Sequence, residues 1–189
     1  MTATTAPAVA TTLATPDGPF TAVVRDGAVL ASGWTAEVAD LVALVHPTLR
    51  PGAVEQVPTT DARVAVVVAA VTAYYDGALD APARVPVQQV SGEFRMQAWD
   101  ALRAVAPGEA ITYTQYAARA GRPLAVRAAA GACAMNAAAL FVPCHRIVRT
   151  DGSLGGFRYG LPIKRSLLDR EARSAGAAQM LEATSSASR

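Results

Sequence analysis

The sequence predicts an α+β fold in two parts: a front half with a small antiparallel sheet and helices, and an all-helical back half of helix-turn-helix type. Three observations carry this. Two apolar, β-prone stretches flank Asp26-Gly27, a favoured pair for a two-residue hairpin turn. Beyond the hairpin, apolar residues recur at three- and four-residue spacing, the period of a half-buried helix. The back half holds a short helix, a glycine break and a second helix, the pattern of a helix-turn-helix.

The elements follow in order. Residues 1–15 are rich in Ala and Thr, carry no Lys or Arg, and are expected to be a flexible tail. Residues 16–90 form the expected front domain. Phe20–Arg25 and Ala28–Trp34 are its hairpin strands. Val38, Leu41, Val42 and Val45 share one face of a helix over Thr35–Val45. Pro47, Pro51-Gly52 and Pro58 mark a loop. Thr60 or Asp61 can cap a helix from about Ala62 to Tyr75, which Gly77 can end. Val85–Val90, with Pro86 inside it, reads as an edge strand or an extended linker.

Residues 91–172 form the expected second domain. Phe94, Ala98, Leu102 and Val105 lie on one helical face. Pro107-Gly108 turns the chain. Thr112 and Gln115 have capping-box spacing, starting a short helix at Tyr113 that runs to about Ala120. Gly121-Arg122-Pro123 breaks it, and a second, Ala-rich helix runs from about Leu124 to Met135. Residues 173–189 are expected to be a second flexible tail.

Composition excludes several classes. At 52% hydrophobic and 17% charged residues, the 189-residue chain is no disordered protein. Its longest apolar run, Val64–Tyr75, is too short for a membrane span of about 20 residues. The start lacks the basic and apolar regions of an export signal, so a soluble, cytoplasmic protein is expected. Cys133 and Cys144 make no disulfide framework, and with His46 and His145 they make no zinc set of familiar spacing. Neither metal nor cofactor is expected.

Charge is uneven. Residues 1–94 hold four Arg against nine Asp and Glu; residues 95–171 hold ten Arg and Lys164 against five. A basic back half suits an anionic partner such as nucleic acid, and equally suits a plain preference for surface arginine. Ala125, Ala128, Ala129, Ala130, Gly131, Ala132 and Ala134 leave the second helix nearly bare. It could lie close against DNA without reading bases, or it could be a buried helix packed through small residues. Taken by itself the helix fits the buried reading slightly better, while Arg122 and Arg127 at its start count toward the helix-turn-helix pattern.

The reactive chemistry gathers at Asn136–His145. An apolar run, Ala139–Val142, leads into Pro143 and then Cys144. Proline turns the chain just before the thiol, and His145 beside it can help hold a thiolate, directly or through water. A lowered thiol pKa makes cysteine a nucleophile near neutral pH. A buried structural cysteine is the alternative reading.

Pro143-Cys144-His145-Arg146-Ile147-Val148, with Asn136 before it, Asp151 to Phe157 after it and the block Lys164 to Glu171, resembles the methylated-DNA–protein-cysteine methyltransferases, which repair guanine alkylated on its exocyclic oxygen. The likeness is dense from about Phe94 to Glu171 and weaker from about Pro16 to Pro86. It implies a ribonuclease-H-like front domain and a winged helix-turn-helix-like back domain. It implies double-stranded DNA with alkylated guanine as partner, a monomer, and a single-turnover transfer after the nucleotide is flipped out.

It also implies roles. Cys144 would accept the alkyl group, His145 would act as base through a water, Glu171 would orient His145, Tyr113 would donate to the departing base, and Asn136 would brace the turn before the cysteine. Arg127 would fill the gap left by the flipped base, with Arg122, Thr112, Tyr113, Gln115, Ala125 and Ala128 at the DNA. Phe94, Cys133, Pro143, Ile147, Phe157, Arg158 and Tyr159 would form the pocket, with backbone carbonyls near Cys144 and Ile147 accepting from the guanine amino group.

Three positions depart from the family pattern: Ala137 stands where Pro is frequent, Phe157-Arg158 where a hydroxyl residue often follows the ring, and Ala139 where some relatives carry Pro. The last suggests a roomier pocket. The alternatives are a helix-turn-helix protein without enzyme activity and a lesion-binding relative; the second would lack the acceptor cysteine. A Cys/His hydrolase would bring its histidine from a distant part of the chain, where only His46 is available.

Overall fold

The computed structural model describes residues 7–186. Strands β1 (Ala8–Thr15), β2 (Gly18–Arg25) and β3 (Ala28–Gly33) form two successive hairpins, and a short β4 (Val54–Gln56) adds to β1 in parallel, giving the order β3-β2-β1-β4. The Asp26-Gly27 turn forms as expected: both residues have positive φ, 51° and 74°, as a type I′ turn requires. Of the expected tail over 1–15, Ala8–Thr15 is instead β1, which lies inside the sheet, and residues 1–6 lie outside the described residues. Val9 and Leu13 face one side of it, while Ala8 and Ala10 face the other. β-Branched Val and Thr suit a strand, and the Ala/Thr bias of the segment hides its alternation. The sheet is mixed rather than purely antiparallel, because β4 runs parallel to β1.

Alternation along β2 assigns the two faces. Phe20, Ala22 and Val24 join one core, and Val23 joins the other. Helix α1 (Val38–Leu44) covers the second face through Leu41, and Val45 just beyond it joins the same core. Helix α2 (Ala65–Tyr75) brings Val67, Val71 and Tyr74 into the first core. A 3₁₀ turn, Ala62–Val64, leads into α2, with the Asp61 side chain accepting from the Arg63 amide. Gly77, at φ 108°, ends it. The Val85–Val90 stretch is an extended linker that touches the sheet edge by a single bridge, Val29 to Val87.

In the back half, α3 (Glu93–Arg103) packs against α4 (Tyr113–Arg119) and α5 (Val126–Ala134). Two ties fix their angles: Tyr116 donates to the Ala98 carbonyl at 2.9 Å, and Trp99 Nε1 donates to the Ala132 carbonyl at 2.9 Å. The Thr112/Gln115 capping box is complete. The back half is not all-helical: β5 (Ile111–Thr112) pairs in parallel with β6 (Ile147–Val148). Two-residue strands are too short to show periodicity, and this pair forms because Ile111 and Ile147 are both drawn into the core. A last helix, α6 (Leu161–Ser186), runs through the segment expected to be a tail from 173; residues 187–189 lie outside the described residues.

Candidate active site

The segment after α5 is sewn to the sheet edge. The Ser32 amide donates to the Ala137 carbonyl at 2.8 Å, Ser32 Oγ donates to the Ala139 carbonyl at 2.7 Å, and the Ala139 amide returns to the Ser32 carbonyl at 3.2 Å. Leu140 then sits at φ 75°, a conformation that costs a non-glycine residue about 1–3 kcal/mol and persists only where its surroundings enforce it. Asn136 supplies part of that enforcement. Its Nδ2 donates to the Val142 carbonyl at 2.7 Å, its Oδ1 accepts the Ala138 amide at 3.1 Å, and Gln89 of the linker bonds both Asn136 Oδ1 and the Ala137 amide. The same Nδ2 stands 3.3 Å from Cys144 Sγ. Asn136 therefore braces the turn and touches the sulfur.

Cys144–Arg146 form one 3₁₀ turn, which sends consecutive side chains in different directions. Cys144 is half-buried at a cavity, while His145 and Arg146 point into the protein. His145 Nε2 lies 3.0 Å from Glu171 Oε1, and neither side chain is exposed. Arg146 grips the same carboxylate through Nε at 2.9 Å and Nη2 at 2.8 Å, and its Nη1 donates to the Val105 carbonyl at 2.6 Å. The Gly108 amide (3.2 Å) and the Tyr74 hydroxyl (3.1 Å) complete five donors to Glu171.

Charge states follow from this packing. Burial alone would raise the Glu171 carboxyl, but the bonds and charge of His145 and Arg146 outweigh it and hold Glu171 well below the usual carboxylate range. Burial lowers His145 despite the pull of Glu171, so the resting imidazole is neutral. With Nε2–H facing Glu171, the lone pair rests on Nδ1, which is buried and bonds no group among the described residues. Burial raises the Cys144 thiol, with the Asn136 bond and the Lys164 charge opposing it. The expectation of a thiol lowered at rest is thus corrected: removal from water outweighs the neighbouring cations.

The cavity beside Cys144 is about 280 Å³, near the lower end of small-molecule sites. Of the expected pocket residues, Cys133, Phe157, Arg158 and Tyr159 line it, together with Tyr113 and Asn136. Ala139 is also in its wall, as the pocket-size argument requires. Burial raises the Tyr113 phenol, keeping it a proton-bearing donor. Arg158 Nη2 reaches across to the Ala134 carbonyl at 2.5 Å, tying the loop after β6 to the end of α5.

Three expected pocket residues lie elsewhere. Phe94 stacks under the Arg122 guanidinium, 5.2 Å from its ring centre, in a separate surface groove. Pro143 faces the opposite side of the turn, beside Arg103 and Phe141. Ile147 is fully buried, outside the cavity lining, and its carbonyl accepts from Lys164 Nζ at 2.6 Å. Thr112 and Gln115 bond each other in the helix cap. On α5, Arg127 and Ala128 are exposed, Ala125 is half-buried at the N-cap, and Ala129 and Ala132 are in the core. The bare helix therefore has one face packed in the core and one exposed.

Sequence reasoning assigned no role to Tyr74, Arg146, Lys164, Ala130, Ala134 or Gly156. Arg146 had a signal in its place beside His145. Tyr74 had none, being 97 residues from Glu171. Among the described residues no group of three or more His, Cys, Asp or Glu could hold a metal, and no helix is long and apolar enough to cross a membrane.

Comparisons with known proteins fit this geometry. Residues 93–173 match the family described as 6-O-methylguanine DNA methyltransferase, DNA binding domain. The chain is 46% identical over 95 residues to the bifunctional transcriptional activator/DNA repair enzyme Ada of Escherichia coli, covering 50% of this chain and 27% of that protein. It is 41% identical over 91 residues to the human methylated-DNA–protein-cysteine methyltransferase, covering 48% and 44%. These matches span about half or less of the length of the curated relatives. Similarity over the whole fold is found in a crystal structure of the Mycobacterium tuberculosis O6-methylguanine methyltransferase, with a TM-score of 0.72 at 25% identity, covering 88% of this chain and 94% of that one. A mixed sheet in front, packed helices behind, and a cysteine–histidine–glutamate constellation within the matched span accompany this likeness: residues 93–173 are similar to the DNA-binding domain of the 6-O-methylguanine DNA methyltransferases.

Proposed function

We propose that this protein repairs double-stranded DNA by moving an alkyl group from the exocyclic oxygen of guanine to Cys144, once per protein molecule. The observation that carries the proposal is the half-buried Cys144 thiol in a cavity wall, with the neutral His145 next in the chain and tied through Nε2 to Glu171 at 3.0 Å. A nucleophile, a base and an orienting carboxylate are the parts such a displacement needs.

The step balances as follows. The Cys144 proton passes by way of a water to His145 Nδ1, and the imidazolium is stabilised by Glu171. Sγ attacks the alkyl carbon in line; the S–C bond forms, the C–O bond breaks, and its electron pair stays with guanine. The Tyr113 hydroxyl gives a proton to the guanine as that charge builds, the base is restored with its exocyclic oxygen as a carbonyl and a proton on the ring nitrogen, Tyr113 regains its proton through solvent, and His145 releases the cysteine proton to solvent. Cys144 ends as a thioether, which no group in the site can reverse.

A thiol raised at rest suits this chemistry. The sulfur stays protonated and unreactive toward stray electrophiles until a substrate completes the proton path. The lesion is presented by flipping the nucleotide, which costs a few kcal/mol and less at a weakened pair. We read α4 and α5 as a helix-turn-helix, with the exposed Arg127 and Ala128 toward the groove and Arg122, held on Phe94, toward the backbone. Family likeness supports a winged form of that motif and a ribonuclease-H-like front unit, divided near residue 90, and a single reactive cysteine calls for no second subunit. Action on DNA supports a cytoplasmic location.

Intact mass spectrometry after incubation with a duplex carrying methylated guanine tests the proposal. One added methyl, located on Cys144 and never exceeding one per protein, is expected. Cys144→Ala should bind the duplex and gain no mass; a methyl on that variant would refute the assignment.

A further inference from the structure

Resting on the reading just given, we infer that Tyr74 of the front half is a positioning residue for alkyl transfer: its hydroxyl occupies Glu171 Oε1 and thereby sets how strongly His145 can take the cysteine proton. Glu171 Oε1 is shared. It accepts from His145 Nε2 at 3.0 Å, from Arg146 Nη2 at 2.8 Å and from Tyr74 at 3.1 Å. An oxygen has limited lone-pair capacity, so each donor weakens the hold of the carboxylate on the others.

The contact is built rather than incidental. Tyr74 is fully buried, with Tyr116 among the largest fully buried side chains of the described residues, and it extends from α2 on the sheet into the carboxylate network of α6. Burial and the Glu171 charge keep its hydroxyl protonated far beyond the ordinary phenol range, so it serves only as donor. A phenylalanine would fill the same apolar space. The hydroxyl matters because an unpaired phenol would be costly there, and Glu171 is the acceptor it finds.

Tyr75, edge-on to Tyr74 with ring centres 5.4 Å apart, is its titratable neighbour on α2. Arg146 faces both Glu171 and His145, Lys164 of α6 adds positive charge felt by His145, and the Gly108 amide occupies Oε2. All of them remain in a Tyr74→Phe protein. Removing the hydroxyl leaves Oε1 to His145 and Arg146 alone, so the carboxylate stabilises the imidazolium more strongly and the proton affinity of His145 rises.

The test uses the full chain. In Tyr74→Phe, the ascending limb of the pH profile for methyl transfer from duplex DNA should move up by about half to one pH unit, the size of one modest hydrogen bond. The ring signals of His145 in a nitrogen-15 NMR titration of the free protein should move the same way. Placing 3-fluorotyrosine at 74, a stronger donor, should shift both downward, and this variant serves if Tyr74→Phe does not fold. Coincident profiles, or a shift of opposite sign, would overturn the inference. If the native protein gains no methyl at all, the functional reading fails, while the NMR titration still decides whether Tyr74 tunes His145.

Discussion

His145 Nε2 and Glu171 Oε1 lie 3.0 Å apart with both side chains fully buried, and the same carboxylate holds the Arg146 fork. Removing the charge of Glu171 would leave Arg146 buried without its counter-ion. Glu171→Gln should therefore cost about 3–5 kcal/mol of stability and cut methyl transfer by about two orders of magnitude or more, on the scale of losing general-base support. Chemical denaturation and single-turnover kinetics measure the two effects.

Acid stability should follow the same pair. The folded Glu171 carboxyl lies below its ordinary value of 4.5, so its contribution is present above that value and is lost as pH falls toward the folded one. Folded His145 lies below its ordinary 6.5, so the unfolded chain takes its proton first and stability also declines below that value. Native protein should lose stability continuously from about pH 6 downward, and Glu171→Gln should lose less over the carboxylate range. Thermal melts across pH show whether the acid limb flattens.

The resting thiol should alkylate slowly at neutral pH. Burial raises Cys144, while the Asn136 amide at 3.3 Å lowers it. In Asn136→Ala, the pH at which iodoacetamide reactivity of Cys144 rises should move higher, and the freed Val142 carbonyl should cost about 1–3 kcal/mol. Peptide-resolved labelling separates Cys144 from Cys133; an unchanged or lower titration point would show that the Asn136 contact does not act on the sulfur.

Arg127 is exposed on α5, and among the described residues its side chain makes no hydrogen bond or ion pair. Arg127→Ala should fold with native stability, capture the lesion more weakly, and reduce the salt slope of DNA binding by about one unit. Binding isotherms at several salt concentrations report this directly. Unaltered capture would remove α5 from the DNA.

Ala139 lies in the cavity wall and gives its amide to Ser32. A proline there would lose that bond, so Ala139→Leu is the cleaner way to narrow the space. It should slow transfer from benzylated guanine much more than from methylated guanine, as competition between the two substrates would reveal. Equal slowing would mean that the wall at 139 does not gate size.

The opposite wall rests on the front half. Trp34 contacts both Phe157 and Tyr159, with ring centres 5.9 and 5.6 Å away, and Tyr159 lies across Gly33, where any side chain would overlap its ring. Gly33→Ala should displace Tyr159, lower the melting temperature, and impair transfer although residue 33 lies outside the cavity.

Much of this protein was legible from its residues alone, wherever the signal is local. Asp26-Gly27 demands a turn with positive φ at both positions, Thr112 and Gln115 close a capping box, and Pro-Cys-His presents a thiol after a forced bend, because neighbouring atoms decide these outcomes. Only the tertiary structure decided the rest. It placed Ala8–Thr15 within the sheet, paired Ile111 with Ile147, moved Phe94, Pro143 and Ile147 out of the cavity, and brought Tyr74 to Glu171. It also reversed the expected direction for the Cys144 thiol. Pairing partners and the loss of water around a group depend on distant parts of the chain folding over it, and neither leaves a period or a spacing in the sequence.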